Sequence, residues 1–374
     1  MTGTSRLRRR LFAGLAGAFM VAMAGTAWPG PDVVRIGVAT AGGGDPITWG
    51  GSPGAVVRAN RWLEDAFARQ GTKVEWLFFK GAGPAVNEAL SNRQIDFAYQ
   101  GDLPSVVGRA NGLDTRLLLV SGARNNLYVA VPPASPLRTL EDLKGRTVAL
   151  FRGTNGHLVA INVLAAHGLA ERDLKVVNLD TGSAQAAIVS NGVQAAFGGI
   201  EYFKLRDQGL VRMVFSTQRG NPAYTRQAAL LVRAAFAQDN PQATQTVVDA
   251  FVRAACWASD EENRDALFQL WARSGIPYAS FKAEFQDQTL KSRNSPVVDA
   301  FIVGRYKAVA ADALRQRLIR REISVDDWFD TRYLERALKD QGLEDYWPRY
   351  ATDGITRVNG PASTAQAGPR ENRP

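Results

Sequence analysis

The sequence predicts an α/β protein of two lobes, each a mainly parallel sheet flanked by helices. Three observations predict it. Strand and helix signals alternate from residue 33 to residue 215. Two stretches in that region read as loose copies: A-L-S-N-R-Q-I-D-F-A-Y-Q-G-D at 89–102 and I-V-S-N-G-V-Q-A-A-F-G-G-I-E at 188–201. Beyond Gln227 the alternation gives way to helical periodicity. A chain of 374 residues is long enough for two domains.

The elements follow in order. In the first set, V-V-R-I-G-V-A at 33–39 is a strand, and 56–68 is a helix carrying Val57, Trp62 and Phe67. Strands follow at 73–79, 95–98 and 116–120, with helices at 84–90 and 103–110. In the second set a short helix at 139–143 precedes a strand at 146–151. Helices at 157–167, 183–190 and 202–208 then alternate with strands at 174–179, 195–197 and 211–215. One more apolar run, 228–232, comes before helices at 241–259, 261–274, 297–310 and 331–341. Asn240, Asp260 and Ser324 stand where helix N-caps belong. The stripe Phe251, Trp257, Phe268 and Trp271 reads as core packing rather than a ligand box.

The ends differ in character from the body. Arg6, Arg8, Arg9 and Arg10 precede an uncharged run at 11–27, with small residues that offer cleavage after Ala24 or Ala27. Residues 1–27 are expected to be a secretory signal peptide, too short and small-sided for a membrane span. R-R-L-F at 9–12 loosely resembles a twin-arginine signal, and no cysteine near the cleavage point implies a lipid anchor. The tail at 354–374 is polar and is expected to be disordered. The formal charge of +9 shrinks accordingly. Four arginines belong to residues 1–27, and the tail holds three basic residues and one acid. That leaves +3 for the body, which gives little reason to expect nucleic acid.

Composition excludes several chemistries. One cysteine, Cys256, rules out an internal disulfide framework. With only His157 and His167, no His/Cys cluster has metal spacing, and no P-loop motif is present. No metal or cofactor is expected. The loop R-G-T-N-G-H at 152–157 stands out, because it joins a strand to a helix. Its glycines permit close approach, and the positive end of the helix favours an anion. An ordinary strand–helix turn would read the same. Glycine-bearing turns at the carboxyl ends of strands in two similar lobes would face each other across a cleft.

Several motifs in one order carry a family resemblance. They are K-V-E-W at 73–76, G-A-G-P-A-V-N-E-A-L at 81–90, Q-I-D-F-A-Y-Q-G-D-L-P at 94–104 and A-N-G-L-D-T-R-L-L-L at 110–119. E-D-L-K-G-R-T-V-A at 141–149, R-G-T-N-G-H at 152–157 and G-L-A-E-R-D-L-K-V-V-N-L-D at 168–180 continue the series. The chain resembles the substrate-binding proteins of ABC importers for aliphatic sulfonates, nitrate and taurine. The resemblance implies a type II periplasmic-binding-protein fold with the ligand in the interlobe cleft. It implies lobe 1 over 32–126 plus 226–353, with the C-terminal helices, and lobe 2 over 127–225. The implied protein is a periplasmic monomer, not an enzyme. It would capture a small anionic ligand and deliver it to an ABC permease and ATPase in the inner membrane.

The resemblance also implies the ligand contacts. Gln100, Gly101 and Asp102 sit at the edge of lobe 1, where Asp102 would also cap the helix at Leu103. Ser121, Asn125 and Asn126 precede the crossing to lobe 2, as donors or as turn formers. Thr154, Asn155, Gly156 and His157 match the lobe 2 loop that faces the ligand, and Gly198 and Gly199 match the last strand's end. Arg124 or Arg152 would add charge or lie solvated on the surface. Gly42–Gly44 and Trp49–Gly51 form a glycine-rich insertion that departs from the family pattern. The rival reading is an enzyme on the same fold, a desulfinase or a cofactor-precursor synthase. A desulfinase would need Cys256 beside His157 in the cleft. A receptor serving a sensor instead of a permease is a third reading.

Overall fold

The structure, a computed structural model, describes residues 30–358. The expected signal peptide lies outside the described residues. Four strands open the chain: β1 (Val33–Val38), β2 (Lys73–Phe78), β3 (Phe97–Gly101) and β4 (Thr115–Val120). Five more follow: β5 (Tyr128–Val131), β6 (Thr147–Ala149), β7 (Lys175–Val177), β8 (Ala195–Gly198) and β9 (Arg212–Ser216). After β10 (Ala228–Arg233) come mainly helices.

These strands form two five-stranded sheets, ordered β2-β1-β3-β10-β4 and β7-β6-β8-β5-β9. The orders are equivalent. In each sheet four strands share one direction and a single antiparallel strand is wedged between the third and the fourth. That intruder is β10 in one sheet and β5 in the other. The internal copies seen in the sequence are therefore real in topology, with a slip. Phe97 and Ala195 are the first residues of β3 and β8 to pair with their parallel neighbours, and Arg93 and Asn191 are the left-handed residues before them. Both pairs are one residue closer than the ungapped alignment of Ser91 with Ser190. That alignment would turn every β8 side chain to the wrong face.

One large core covers the first sheet and the C-terminal helices, and two smaller clusters cover the faces of the second. Phe251, Phe268 and Trp271 are buried in the large core and Trp257 packs against it. The helix Pro241–Ser259 starts with proline, whose missing N–H is not needed there.

Several local expectations need correction. The helix expected at 56–68 is two helices, Pro53–Ala59 and Trp62–Ala68, because Arg61 adopts φ 55°. The strand β5 has no counterpart in the expected list. Asn240 makes no side-chain cap, since its amide turns back to the Phe236 carbonyl. Ser324 accepts from the Asp326 N–H in a turn that starts no helix. Asp260 does cap, accepting from the Glu262 N–H. The segment expected as a disordered tail is structured at its start: Arg357–Val358 pairs with Arg349–Tyr350. Among the described residues no helix is long and apolar enough to cross a membrane.

Candidate functional site

The carboxyl ends of β1, β3, β6 and β8 converge on a cavity of about 830 Å³ between the two sheets. This is the edge where open α/β sheets bind ligands. Of the residues expected there, Gln100, Gly101, Asn125, Thr154, Asn155, Gly156 and Gly198 line it. The two halves touch. A Cβ on Gly101 would lie 2.7 Å from Asn155 atoms, so only glycine lets the loop at the start of helix Asn155–Ala166 approach β3 so closely. Asn155 Nδ2 also donates to the Gln227 carbonyl at 3.4 Å.

Five expected residues do not line the cavity. Asp102 is buried as the first residue of helix Asp102–Ala110, not as its N-cap. Its carboxylate accepts from the Leu103 and Gln227 N–H groups. Burial pushes its pKa up to about 6, against the pull of Arg305 and those N–H groups. Ser121 is spent on Ser52, whose hydroxyl donates to its carbonyl. Asn126 donates to Glu284 Oε1 at 2.9 Å. His157 faces inward: Nδ1 accepts from the Gly153 N–H, and Nε2 lies 2.8 Å from Glu171 Oε2. Burial opposes ionisation of Glu171, but the His157 ring and Arg152 outweigh it and hold that carboxyl low. Gly199 lies behind the rim, its N–H donating to Glu201 Oε1.

Neither arginine singled out in the sequence reaches the cavity. Arg124 donates to the Gly354 carbonyl and stacks over Tyr350 at 4.4 Å, and Arg152 pairs with Glu171. Lys80, Lys204 and Arg293 line the cavity instead, and so does Arg226. It stands at the second crossing between the sheets, where its backbone exchanges two hydrogen bonds with Asn125. Nη2 donates to the Asn126 carbonyl at 2.6 Å, while the buried Nε has no hydrogen-bond partner among the described residues. An unpartnered buried N–H on a charged group is costly unless something fills the place. A Cβ on Gly199 would sit 2.6 Å from Arg226 Nη2, so the glycine makes room for the guanidinium.

The amide orientations are fixed by their neighbours. Arg293 Nη2 donates to Asn125 Oδ1 at 3.1 Å, which leaves Asn125 Nδ2 as a donor. Gln100 behaves oppositely. Its Nε2 donates to Asn87 Oδ1 at 3.1 Å, so its one free atom, Oε1, is an acceptor. At the helix start Thr154 gives its hydroxyl to the Phe151 carbonyl, and no side chain caps the first turn. Arg293 and Glu284, which also border the cavity, form a buried pair at 3.0 Å. Glu284 accepts in addition from Tyr128 Oη at 2.5 Å, and burial together with the Glu284 charge holds that phenol protonated well above its ordinary range. Nothing in the sequence flagged Arg226, Glu284 or Arg293, each far along the chain from the loops it joins.

The constellation a desulfinase needs does not assemble. Cys256 is half-buried on helix Pro241–Ser259, outside the cavity, and burial pushes its thiol up. His157 is engaged with Glu171. No group of three His, Cys, Asp or Glu among the described residues could hold a metal ion.

The sequence profile of NMT1/THI5-like proteins matches residues 66–264. The chain belongs to the NMT1/THI5-like family. Its similarity to individual proteins runs along most of its length. A protein of Escherichia coli named for binding aliphatic sulfonates is 28% identical over 72% of this chain and 86% of the relative. One of Bacillus subtilis with the same name is 26% identical over 77% and 86%. The structure of a periplasmic sulfonate-binding protein, SsuA of Methylobacillus flagellatus, is 29% identical. It superposes with a TM-score of 0.73, covering 85% of this chain and 97% of that one. This NMT1/THI5-like chain thus shares its two-sheet architecture, of the type II periplasmic-binding class, with solute-binding relatives.

Proposed function

We propose that this chain is the solute-binding component of an ABC importer. It captures a small organic or inorganic anion of the aliphatic sulfonate, taurine or nitrate kind in the periplasm and hands it to the membrane permease and its ATPase. The observation that carries this reading is the Arg226 guanidinium, held at the interlobe cavity with its buried Nε unpartnered. The sulfonate-binding names of the relatives support the same class of ligand. No chemistry on the ligand is proposed.

The anion head would lie against the Arg226 guanidinium, Asn125 Nδ2 and the first-turn amides of helix Asn155–Ala166. Charge-assisted hydrogen bonds of this kind contribute roughly 1.5–3 kcal/mol each. Gly101 and Gly198 shape the walls, while Gln100 Oε1 suits a donor elsewhere on the ligand. Asp102, Ser121, Asn126, His157 and Gly199 support this shell from behind. The lobes, 32–126 plus 226–353 and 127–225, would close by a hinge at the two crossings and so create the surface the permease reads. Export of a monomer by a cleaved signal peptide completes the reading. Calorimetry of the mature chain against alkanesulfonates, taurine, nitrate and carboxylates tests it. Binding of at least one anion, weakened at least tenfold by Arg226→Met, is expected. Failure to bind any of them overturns it.

A further inference from the structure

Behind the proposed anion shell lies a carboxylate that the ligand does not touch. Asp102 is 2% exposed and does not line the cavity. The residue before it, Gly101, does line it, and so does Arg226, the residue before its partner Gln227. The partnership is reciprocal. The Gln227 N–H donates to Asp102 Oδ2 at 3.2 Å, and the Asp102 N–H donates to the Gln227 carbonyl at 3.1 Å. That same carbonyl accepts from Asn155 Nδ2 at the start of helix Asn155–Ala166. Asp102 is thereby tied to the lobe 1 wall, to the backbone beside Arg226 and, through one shared carbonyl, to the lobe 2 loop.

The charge of this carboxylate is incompletely compensated. Two backbone N–H groups reach it, while two guanidiniums act on it only through space, Arg305 of helix Ala300–Arg315 more strongly than Arg226. Arg305 is 9% exposed, with its Nε unpartnered among the described residues. The Tyr306 hydroxyl, also unpartnered among them, feels the Asp102 charge. From β3, Tyr99 lies in the field of the same Arg226. On helix Asn155–Ala166 the titratable group is His157, whose ring is engaged with Glu171. Helix Ala82–Ser91 brings only Glu88, which is exposed. Burial dominates this balance and pushes the Asp102 carboxyl up to about 6.

An anion seated on Arg226 adds a like charge near Asp102 and takes up part of the field that steadies its carboxylate. Both effects favour the neutral carboxyl. We propose that anion capture is proton-linked through Asp102: the incoming anion draws one proton from the buffer onto this carboxylate, and affinity rises as the medium acidifies. This rests on the anion-binding reading above and deepens it. Asp102 then titrates higher with the anion bound than without it. Affinity is therefore greatest below the unliganded value and falls as pH rises through it. A difference of about one pH unit corresponds to about tenfold in Kd. The test is calorimetry of the mature chain with ethanesulfonate, taurine and nitrate, whose anionic groups stay ionised from about pH 5 to about pH 8. The Kd should rise about tenfold across that window, and buffers of unlike ionisation enthalpy should register proton uptake near pH 6. Infrared difference spectra of the unaltered chain should gain a protonated-carboxyl band on addition of the anion, a readout that needs no variant. Asp102→Asn, with folding confirmed by thermal melts, should bind with a Kd constant to about twofold, whereas His157→Gln should keep the slope. A Kd of the unaltered chain that changes by less than about twofold, proton uptake without the carboxyl band, or a slope that survives in folded Asp102→Asn overturns the inference and leaves the anion-binding reading standing. Absence of binding to all three anions at every pH removes the inference together with that reading.

Discussion

Arg226 and Asp102 show opposite uses of a buried charge. Arg226 keeps a donor unpartnered at the cavity, so Arg226→Lys, which retains the charge and loses Nε–H, should raise the Kd for the ligand roughly tenfold or more in calorimetry. Asp102 is turned inward, and its carboxyl is easier to keep neutral in the folded chain than in the unfolded one. Its stabilising contribution is therefore full below the ordinary value of 3.8 and is lost as pH rises through about 6. Asp102→Asn should flatten that fall by about 3 kcal/mol, read as the melting temperature across the window. An equal fall in the variant would show that Asp102 is not the titrating group. His157 lost its place at the site for a related reason. A ring with Glu171 on one nitrogen and an amide on the other has no atom left for a ligand.

At the scale of elements, the segment after β1 gives a paired prediction. Gly50→Ala drives a methyl into Phe281, which is 1% exposed, and should cost about 1–3 kcal/mol in denaturant unfolding. Gly51→Ala meets nothing within 4 Å but must hold φ at +76°, a strain of roughly 1 kcal/mol. A larger loss at Gly51 than at Gly50 would contradict the packing argument. Most elements were legible because 3.6- and 2-residue periodicities are local. β5 was not, since Tyr128–Val131 is a short run directly after the S-G-A-R-N-N turn and gains its identity from β8 and β9, far along the chain. The break at Arg61 was hidden too, because arginine carries no local mark of a left-handed conformation. Of the site, the loops at strand ends could be read from their glycines. Arg226 could not, because what distinguishes it is an unpartnered nitrogen that appears only once distant segments meet.

The whole molecule is held at its two crossings by residues of the C-terminal helices. Glu284 takes hydrogen bonds from Asn126 and Tyr128 at the first crossing, and its carbonyl takes one from Gln218 at the second. Glu284→Ala leaves the Arg293 guanidinium, 2% exposed, without its charge partner and should cost about 3–5 kcal/mol in denaturant unfolding. Lys80 and Asp180 also face each other from the two sheets, at 3.7 Å, but Lys80 is largely exposed. Lys80→Ala should change ligand affinity by less than about 1 kcal/mol, and a larger effect would mark that pair as a true latch. The wedged strand β10 has a further consequence, for biogenesis. β3 and β4 flank it and have no hydrogen bonds to one another, so the first sheet stays split until residue 228 arrives. A chain growing from its N-terminus must finish the entire second sheet while two apolar strand edges wait unpaired, a state open to mispairing. The first sheet to begin is the last to close, and a chain cut before Ala228 should be found in aggregates or bound to chaperones.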